Sequence, residues 1–476
     1  MAFTGESIVI FFVILQYILA FGIIFFERRN PTSALGWILV LLLLPIIGFF
    51  LYLFFGQNWT KRRLFSLKAA EDRSIAEAVV SQEKELKGLE PGTTADPRTE
   101  PFISVARMFL ENNRSLLTTE NEVSLFTDGT EKFKFLFDDI RSARHHIHLQ
   151  YYIIRDDPLG QEMIRLLTEM ARKGVEVRLL YDGLGMKIKK KKLREFEEAG
   201  GRHAAFFPRI YTLNYRNHRK IAIIDGKTGY IGGYNVGDEY LGKGPLGYWR
   251  DAAIRINGPG VAGLQLRFLL DWNYAASDSL SSGPTYFPDV TGTGYCPLQI
   301  VSSGPDSRWN QIKEGYLKLV SNATESIYIQ TPYFIPDDSI NDALRIAALS
   351  GVDVRIMIPC KPDHPFVYWA TMSFVSDLLE AGVKAYSYDN GFIHAKTLVV
   401  DGLAASVGSA NWDVRSFKLN FEANAFLYEA DFAEKLKQSF LDDLPRCTEI
   451  TLENYEKRSR WIRAKEQVSR LFSPLG

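Results

Sequence analysis

Seven histidines and three cysteines are a thin supply of soft ligands for a chain of 476 residues. Cys296, Cys360 and Cys447 form no even or closely spaced set, so neither a disulfide framework nor a zinc site is implied, and they suit a reducing compartment. Net charge is missing too: 56 Lys and Arg balance 56 Asp and Glu. That argues against a nucleic-acid enzyme relying on a strong global basic field, while leaving local basic patches open. Met1 to Ser7 contain no Lys or Arg, and no small-residue cleavage site ends the apolar run that follows, which argues against a cleaved signal peptide. The length leaves room for two or three domains with sizeable cores.

Uncharged apolar runs, by contrast, are present twice, at Ile8–Phe26 and Ala34–Phe55. At ~1.5 Å per residue they measure ~28 and ~33 Å as helices, against ~30 Å of bilayer hydrocarbon. The expectation is an N-terminal transmembrane helical hairpin, tilted or kinked where Pro45 and Gly48 interrupt the second run. Lys61, Arg62, Arg63 and Lys68 outweigh Arg28 and Arg29 in the connecting loop, which places the C-terminal side in the cytoplasm.

The rest of the chain is organised around an octapeptide that occurs twice. His218-Arg219-Lys220-Ile221-Ala222-Ile223-Ile224-Asp225 and His394-Ala395-Lys396-Thr397-Leu398-Val399-Val400-Asp401 both read His-x-Lys-x4-Asp. Gly232-Gly233-Tyr234-Asn235 and Gly408-Ser409-Ala410-Asn411 follow in the same register. A longer repeat surrounds them: Ile147-His148-Leu149-Gln150 matches Ile327-Tyr328-Ile329-Gln330, and Gly174 to Arg178 matches Gly351 to Arg355, at offsets of 176–181 residues. The repeating unit is therefore a whole domain, in which strand, amphipathic helix (Leu159–Lys173; Ser339–Ser350) and strand alternate in α/β fashion. The expected division is 1–60 membrane anchor, 61–118 linker with a short helix at Ile103–Glu111, 119–290 first domain and 291–476 second domain.

On a strand, residues two apart share a face, so each motif sets an imidazole beside an ammonium. Asp225 and Asp401, at an odd offset, belong to the motif but read as structural residues at the strand end. A lysine beside the histidine repels a divalent cation, whereas a phosphate ester needs cations and amides on its non-bridging oxygens. Lys220, Lys396, Asn235, Asn411 and Ser409 are the candidates for that role. One histidine per half supplies the two groups that double displacement at phosphorus requires, a nucleophile and an acid/base.

The duplicated motif resembles that of the phospholipase D superfamily. Asn214 to Asn217, Gly237 to Leu241, Trp249-Arg250-Asp251, Pro45 to Gly48 and Leu51 to Gly56 narrow the resemblance to bacterial cardiolipin synthases. It implies two pseudo-symmetric α/β/α sandwich domains sharing one active site, and a catalytic set drawn from His218, Lys220, Asp225, His394, Lys396 and Asp401. It makes Asp251 and Glu422 the acids that orient the histidines, His218 the nucleophile and His394 the acid/base, with Arg415-Ser416 a candidate for a second phosphate or headgroup. The implied reaction joins two phosphatidylglycerols into cardiolipin and glycerol at the bacterial cell membrane. No metal, cofactor, nucleotide or nucleic acid enters, since one ester is exchanged for another, and a homo-oligomer is compatible with the sequence. A membrane phospholipase D, another phosphatidyltransferase, a tethered nuclease and an inactive membrane scaffold remain as alternatives.

Three further features need a reading. His145, His146 and His148 are replaced by Glu325, Ser326 and Tyr328 in the other repeat, which points to a structural role. Lys187, Lys189 to Lys192 and Arg194 form a basic patch that is either a solvated helix start or a lipid contact. Tyr455–Phe472 interleaves cations with Trp461, Ile462, Val468, Leu471 and Phe472, and either caps the second domain or lies on the membrane.

Overall fold

The computed structural model describes residues 31–52, 80–82, 96–207, 215–290, 292 and 294–473, with scattered helical positions between 11 and 22. Most of the first apolar run lies outside the described residues. The second is corrected from one span to two helices, Pro31–Leu43 and Pro45–Leu51. Pro45 cannot continue the helix before it, and Leu44 takes a non-helical backbone at φ −124° and ψ 73°. The two pieces pack together, with Trp37 set edge-on to Tyr52 at 5.6 Å. Gly48 is needed there, because a Cβ would meet the Val40 carbonyl at 2.4 Å. Among the described residues no helix is long and apolar enough to cross a membrane.

The two repeats fold into two mixed sheets with the same strand order. The first runs Glu122–Phe126, Ala253–Asn257, Thr228–Gly232, Ile221–Ile224, His146–Tyr151, Glu176–Asp182, Arg202–Phe206. The second runs Leu298–Ser303, Asn420–Leu427, Ala404–Gly408, Thr397–Val400, Ser326–Gln330, Asp353–Pro359, Lys384–Tyr388, and adds Cys447–Ile450 at its edge. In each, the strand after the motif lysine is central and buried on both faces. Ile221 and Ile223 face one core while Ala222 and Ile224 face another, as period-two alternation dictates.

The repeat extends to helix caps. Asp157 starts Pro158–Arg172 by accepting from the Gly160 amide at 2.9 Å, and Asp337 starts Asp338–Leu349 in the same way through Ile340. Gly174 and Gly351, at φ +88° and +96°, follow each helix in the left-handed conformation that lets the chain turn back. These helices cover the outer faces of the sheets. Between the sheets lies a shared core, to which Val261–Ala275 contributes Leu264, Phe268 and Trp272 while Ala430–Asp443 contributes Phe432 and Leu436. Residues 100–118 are not a spacer: Glu100–Asn113 is a helix that buries Phe102, Val105 and Phe109 in the second half's core.

The motif aspartates hold the turns. Asp225 and Gly226 both have positive φ, as do Asp401 and Gly402, the signature of a type I′ hairpin. Asp225 accepts from the Arg144, His145 and His146 amides at 2.8–3.0 Å, and Asp401 from those of Thr324, Glu325 and Ser326 at 2.8 Å. Each carboxylate thus ties its hairpin to the start of the neighbouring central strand. Asp401→Ala strands those amides and should lower unfolding free energy by about 2–4 kcal/mol. Denaturant titration checks this, and turnover per folded molecule should stay close to that of the parent.

Candidate active site

The chain segments that carry the two histidines are held by the opposite half. Arg216–Asn217 pairs in parallel with Asn420–Phe421, and the His218 amide donates to the Phe421 carbonyl at 2.9 Å. Phe392–Ile393 pairs in parallel with Trp249–Arg250, and the His394 amide donates to the Arg250 carbonyl at 2.7 Å. Each histidine-bearing segment therefore lies beside the segment that leads into the other half's carboxylate. Glu422 meets His218 Nδ1 at 3.0 Å, and Asp251 meets His394 Nδ1 at 2.6 Å. With Nδ1 so engaged, Nε2 is the nitrogen left for chemistry on each ring. Both imidazoles line one cleft of about 670 Å³, with Asn235 and Asn411 in its wall.

Several expectations change in detail. His218 to Lys220 and His394 to Lys396 precede their strands rather than lie within them, since pairing begins at Ile221 and Thr397. Both lysines are buried and turn their ammonium groups back to the carbonyls of His218 and His394. Asp225 and Asp401 stand at the far ends of the strands, away from the cleft. Ser409 is corrected from a phosphate ligand: its hydroxyl donates to Glu422 and accepts from the Ala423 amide. Gly233, its counterpart, has no room for a side chain, because a Cβ there would meet Asp251 Oδ1 at 2.1 Å. The shorter acid thus pairs with Gly233 and the longer one with Ser409. His146 and His148 turn inward, bridged by Gln265 at 3.2 and 3.0 Å, and His148 stacks on Phe268 at 4.4 Å.

The family model described as "Cardiolipin synthase, PLD-like domain" matches residues 136–259 and 316–444, and "Phospholipase_D-nuclease N-terminal" matches 14–57. A cardiolipin synthase of Staphylococcus aureus is 51% identical over 478 residues, covering 99% of this chain and 97% of its own. The major cardiolipin synthase ClsA of Bacillus subtilis is 51% identical over 474 residues, covering 98% of each. The chain belongs to the cardiolipin synthases. It is an enzyme of the phospholipase D superfamily. The fold is also that of the phosphatidylserine synthase of Haemophilus influenzae, with a TM-score of 0.61 at 14% identity over 77% of this chain and 96% of that one.

The two histidine–carboxylate pairs differ electrostatically. Burial pushes His218 down to about 4, with Glu422 pulling it up and Lys220 pushing it further down. Burial raises Glu422, but the nearby His218, Lys220 and the Ser409 hydroxyl outweigh that and hold it below the ordinary glutamate value. At Asp251 burial prevails over Lys396 and the Ala252 amide and lifts the carboxyl to about 6. Burial, Lys396 and Lys220 hold His394 well below its ordinary value. Both imidazoles are thus disfavoured as cations, and the pairs differ in their acids: Glu422 is held towards the ionised form and Asp251 is not. The His394–Asp251 pair takes up a further proton more readily, a proton belonging to both partners.

Sequence reasoning did not single out Arg216 and Arg155, which line the cleft beside Arg415. Arg216 lies 3.6 Å from Asp182, and Arg155 lies 2.6 Å from Glu239. The signal for Arg216 was its position two residues before His218, on the same side of an extended segment. Tyr152, edge-on to His218 at 4.9 Å, and Trp249, 5.1 Å from His394, complete the ring walls. Gly233→Ser should displace Asp251 and cut turnover by about 10²-fold, because a misplacement near 1 Å costs that much. Initial rates checked against circular dichroism separate this from misfolding.

Proposed function

We propose that His218 Nε2 attacks the phosphorus of one phosphatidylglycerol while His394 protonates the departing glycerol. The phosphatidyl group then resides on His218. His394, now the base, takes the proton from the glycerol hydroxyl of a second phosphatidylglycerol, whose oxygen attacks the phosphohistidine to give cardiolipin. Convergence of two acid-oriented imidazoles on one cleft is the observation that carries this reading. Burial holds both imidazoles below their ordinary value, so the assignment of the nucleophile to His218 follows the family resemblance, with Glu422 on Nδ1 leaving its Nε2 free. Asp251, lifted by burial to about 6, takes up a proton more readily than Glu422, which is held below the ordinary glutamate value. Lys220 and Lys396, buried behind the cleft wall and turned to the His218 and His394 carbonyls, supply positive charge behind the histidines, and Asn235 and Asn411 supply amides from the wall. Arg216 and Arg415 are placed to receive the phosphate of the second lipid.

The exchange conserves the number of phosphodiesters, so no nucleotide is needed and removal of glycerol draws the reaction forward. The enzyme works at the cell membrane. Leu35, Leu39, Leu43 and Ile47, all more than half exposed, offer the N-terminal helices' apolar sides to lipid. The membrane anchor is 1–60, with 119–290 and 291–476 as the two catalytic domains on the cytoplasmic side.

Given labelled phosphatidylglycerol alone, the purified enzyme should form cardiolipin and glycerol in equal amounts, without loss of rate in a chelator. Phosphatidic acid as the main product would instead make water the acceptor and the enzyme a phospholipase D. His218→Ala should reduce cardiolipin formation by at least ~10⁴-fold.

A further inference from the structure

Arg460–Phe472, the last described helix, is built inside out. Its buried side chains are polar: Glu466 is 1% and Ser469 3% exposed. Glu466 is held by Arg458 at 2.5 Å and by the Tyr455 hydroxyl at 2.9 Å. Arg470 reaches Asp377, on the neighbouring helix Pro365–Leu379, at 2.6 Å. Three apolar side chains face outward, with Trp461 72%, Val468 54% and Leu471 73% exposed, while Ile462 is half-buried. At 3.6 residues per turn these three fall on one stripe with Ala464. Arg460, Arg463 and Lys465 stand exposed around it. A helix whose polar side is satisfied by the protein and whose apolar side is left bare is suited to an apolar medium on its outer face.

Its position supplies the occupant. Ser473, at the helix end, lines the cleft that holds His218 and His394, as do His364, Phe366 and Val367 of the helix it packs on. We propose that Arg460–Phe472 docks on the surface of an anionic bilayer, sinking Trp461, Val468 and Leu471 among the acyl chains and setting the cleft mouth against the lipid from which substrate enters. The cations around the stripe match anionic headgroups. The proposal rests on the phospholipid reading of the cleft and deepens it.

The test uses the full chain in vesicles of phosphatidylglycerol and phosphatidylcholine. An environment-sensitive fluorophore is placed at Val468→Cys or, as control, at Gln438→Cys, both with Cys360→Ser and Cys447→Ser. Emission from position 468 should shift to the blue and be quenched by chain-labelled lipid, while that from 438 stays water-like. Trp461→Ser/Val468→Ser/Leu471→Ser should raise KM for vesicle phosphatidylglycerol on the order of tenfold, with kcat on dispersed short-chain phosphatidylglycerol unchanged. Water-like emission at 468 in vesicles that are turning over would overturn the proposal. So would shielding of 468 in detergent that grows with protein concentration, which would assign the stripe to a second copy. Failure of the parent to make cardiolipin from dispersed substrate would strike the synthase reading alone, leaving the fluorescence result to decide the docking.

Discussion

Each catalytic imidazole is oriented by a carboxylate that the other half of the chain supplies. Glu422 and Asp251 are fully buried, and a buried carboxylate is costly unless a partner meets it. His218 and His394 are partners to these acids, so neither half has a complete site, and each acid would lose its imidazole if the halves parted. The parallel pairing of Arg216–Asn217 with Asn420–Phe421, and of Phe392–Ile393 with Trp249–Arg250, fixes this crossing in the backbone. Packing of the two sheets over one core and assembly of one reaction centre are thus the same event.

Duplication accounts for the symmetry of the frame, and the two histidine–carboxylate pairs depart from it in small ways. Asp251 is one methylene shorter than Glu422, approaches Gly233 closely and is lifted by burial. Glu422 receives the Ser409 hydroxyl as well as His218 and stays ionised. A nucleophile profits from a fixed tautomer and a free lone pair, whereas an acid/base profits from a partner that shares a proton.

Much of this was legible in the residues because it repeats. The motif, the Asp caps of the outer helices and the glycines that end them are local signals, and two copies raise each above chance. The structural role of Asp225 and Asp401 followed from their odd offset. What the sequence hid depends on contacts between distant segments. Nothing local says that Glu422 serves His218 rather than His394, or that Ser409 faces an acid and not a phosphate. The lysines were placed on a strand, but their segments are pulled out of the sheet by pairing with the opposite half. The second apolar run reads as a span tilted or kinked at Pro45 and Gly48, and Pro45 divides it into two packed helices.

The central claim, that one phosphorus passes through a bond to His218 Nε2 while His394 moves the protons, is tested most directly by peptide mapping. Enzyme quenched in acid-free denaturant during turnover of labelled phosphatidylglycerol, in both parent and His394→Ala forms, should bear the phosphatidyl group on the peptide containing His218. Label on the peptide containing His394, or on both in the parent, would contradict the account.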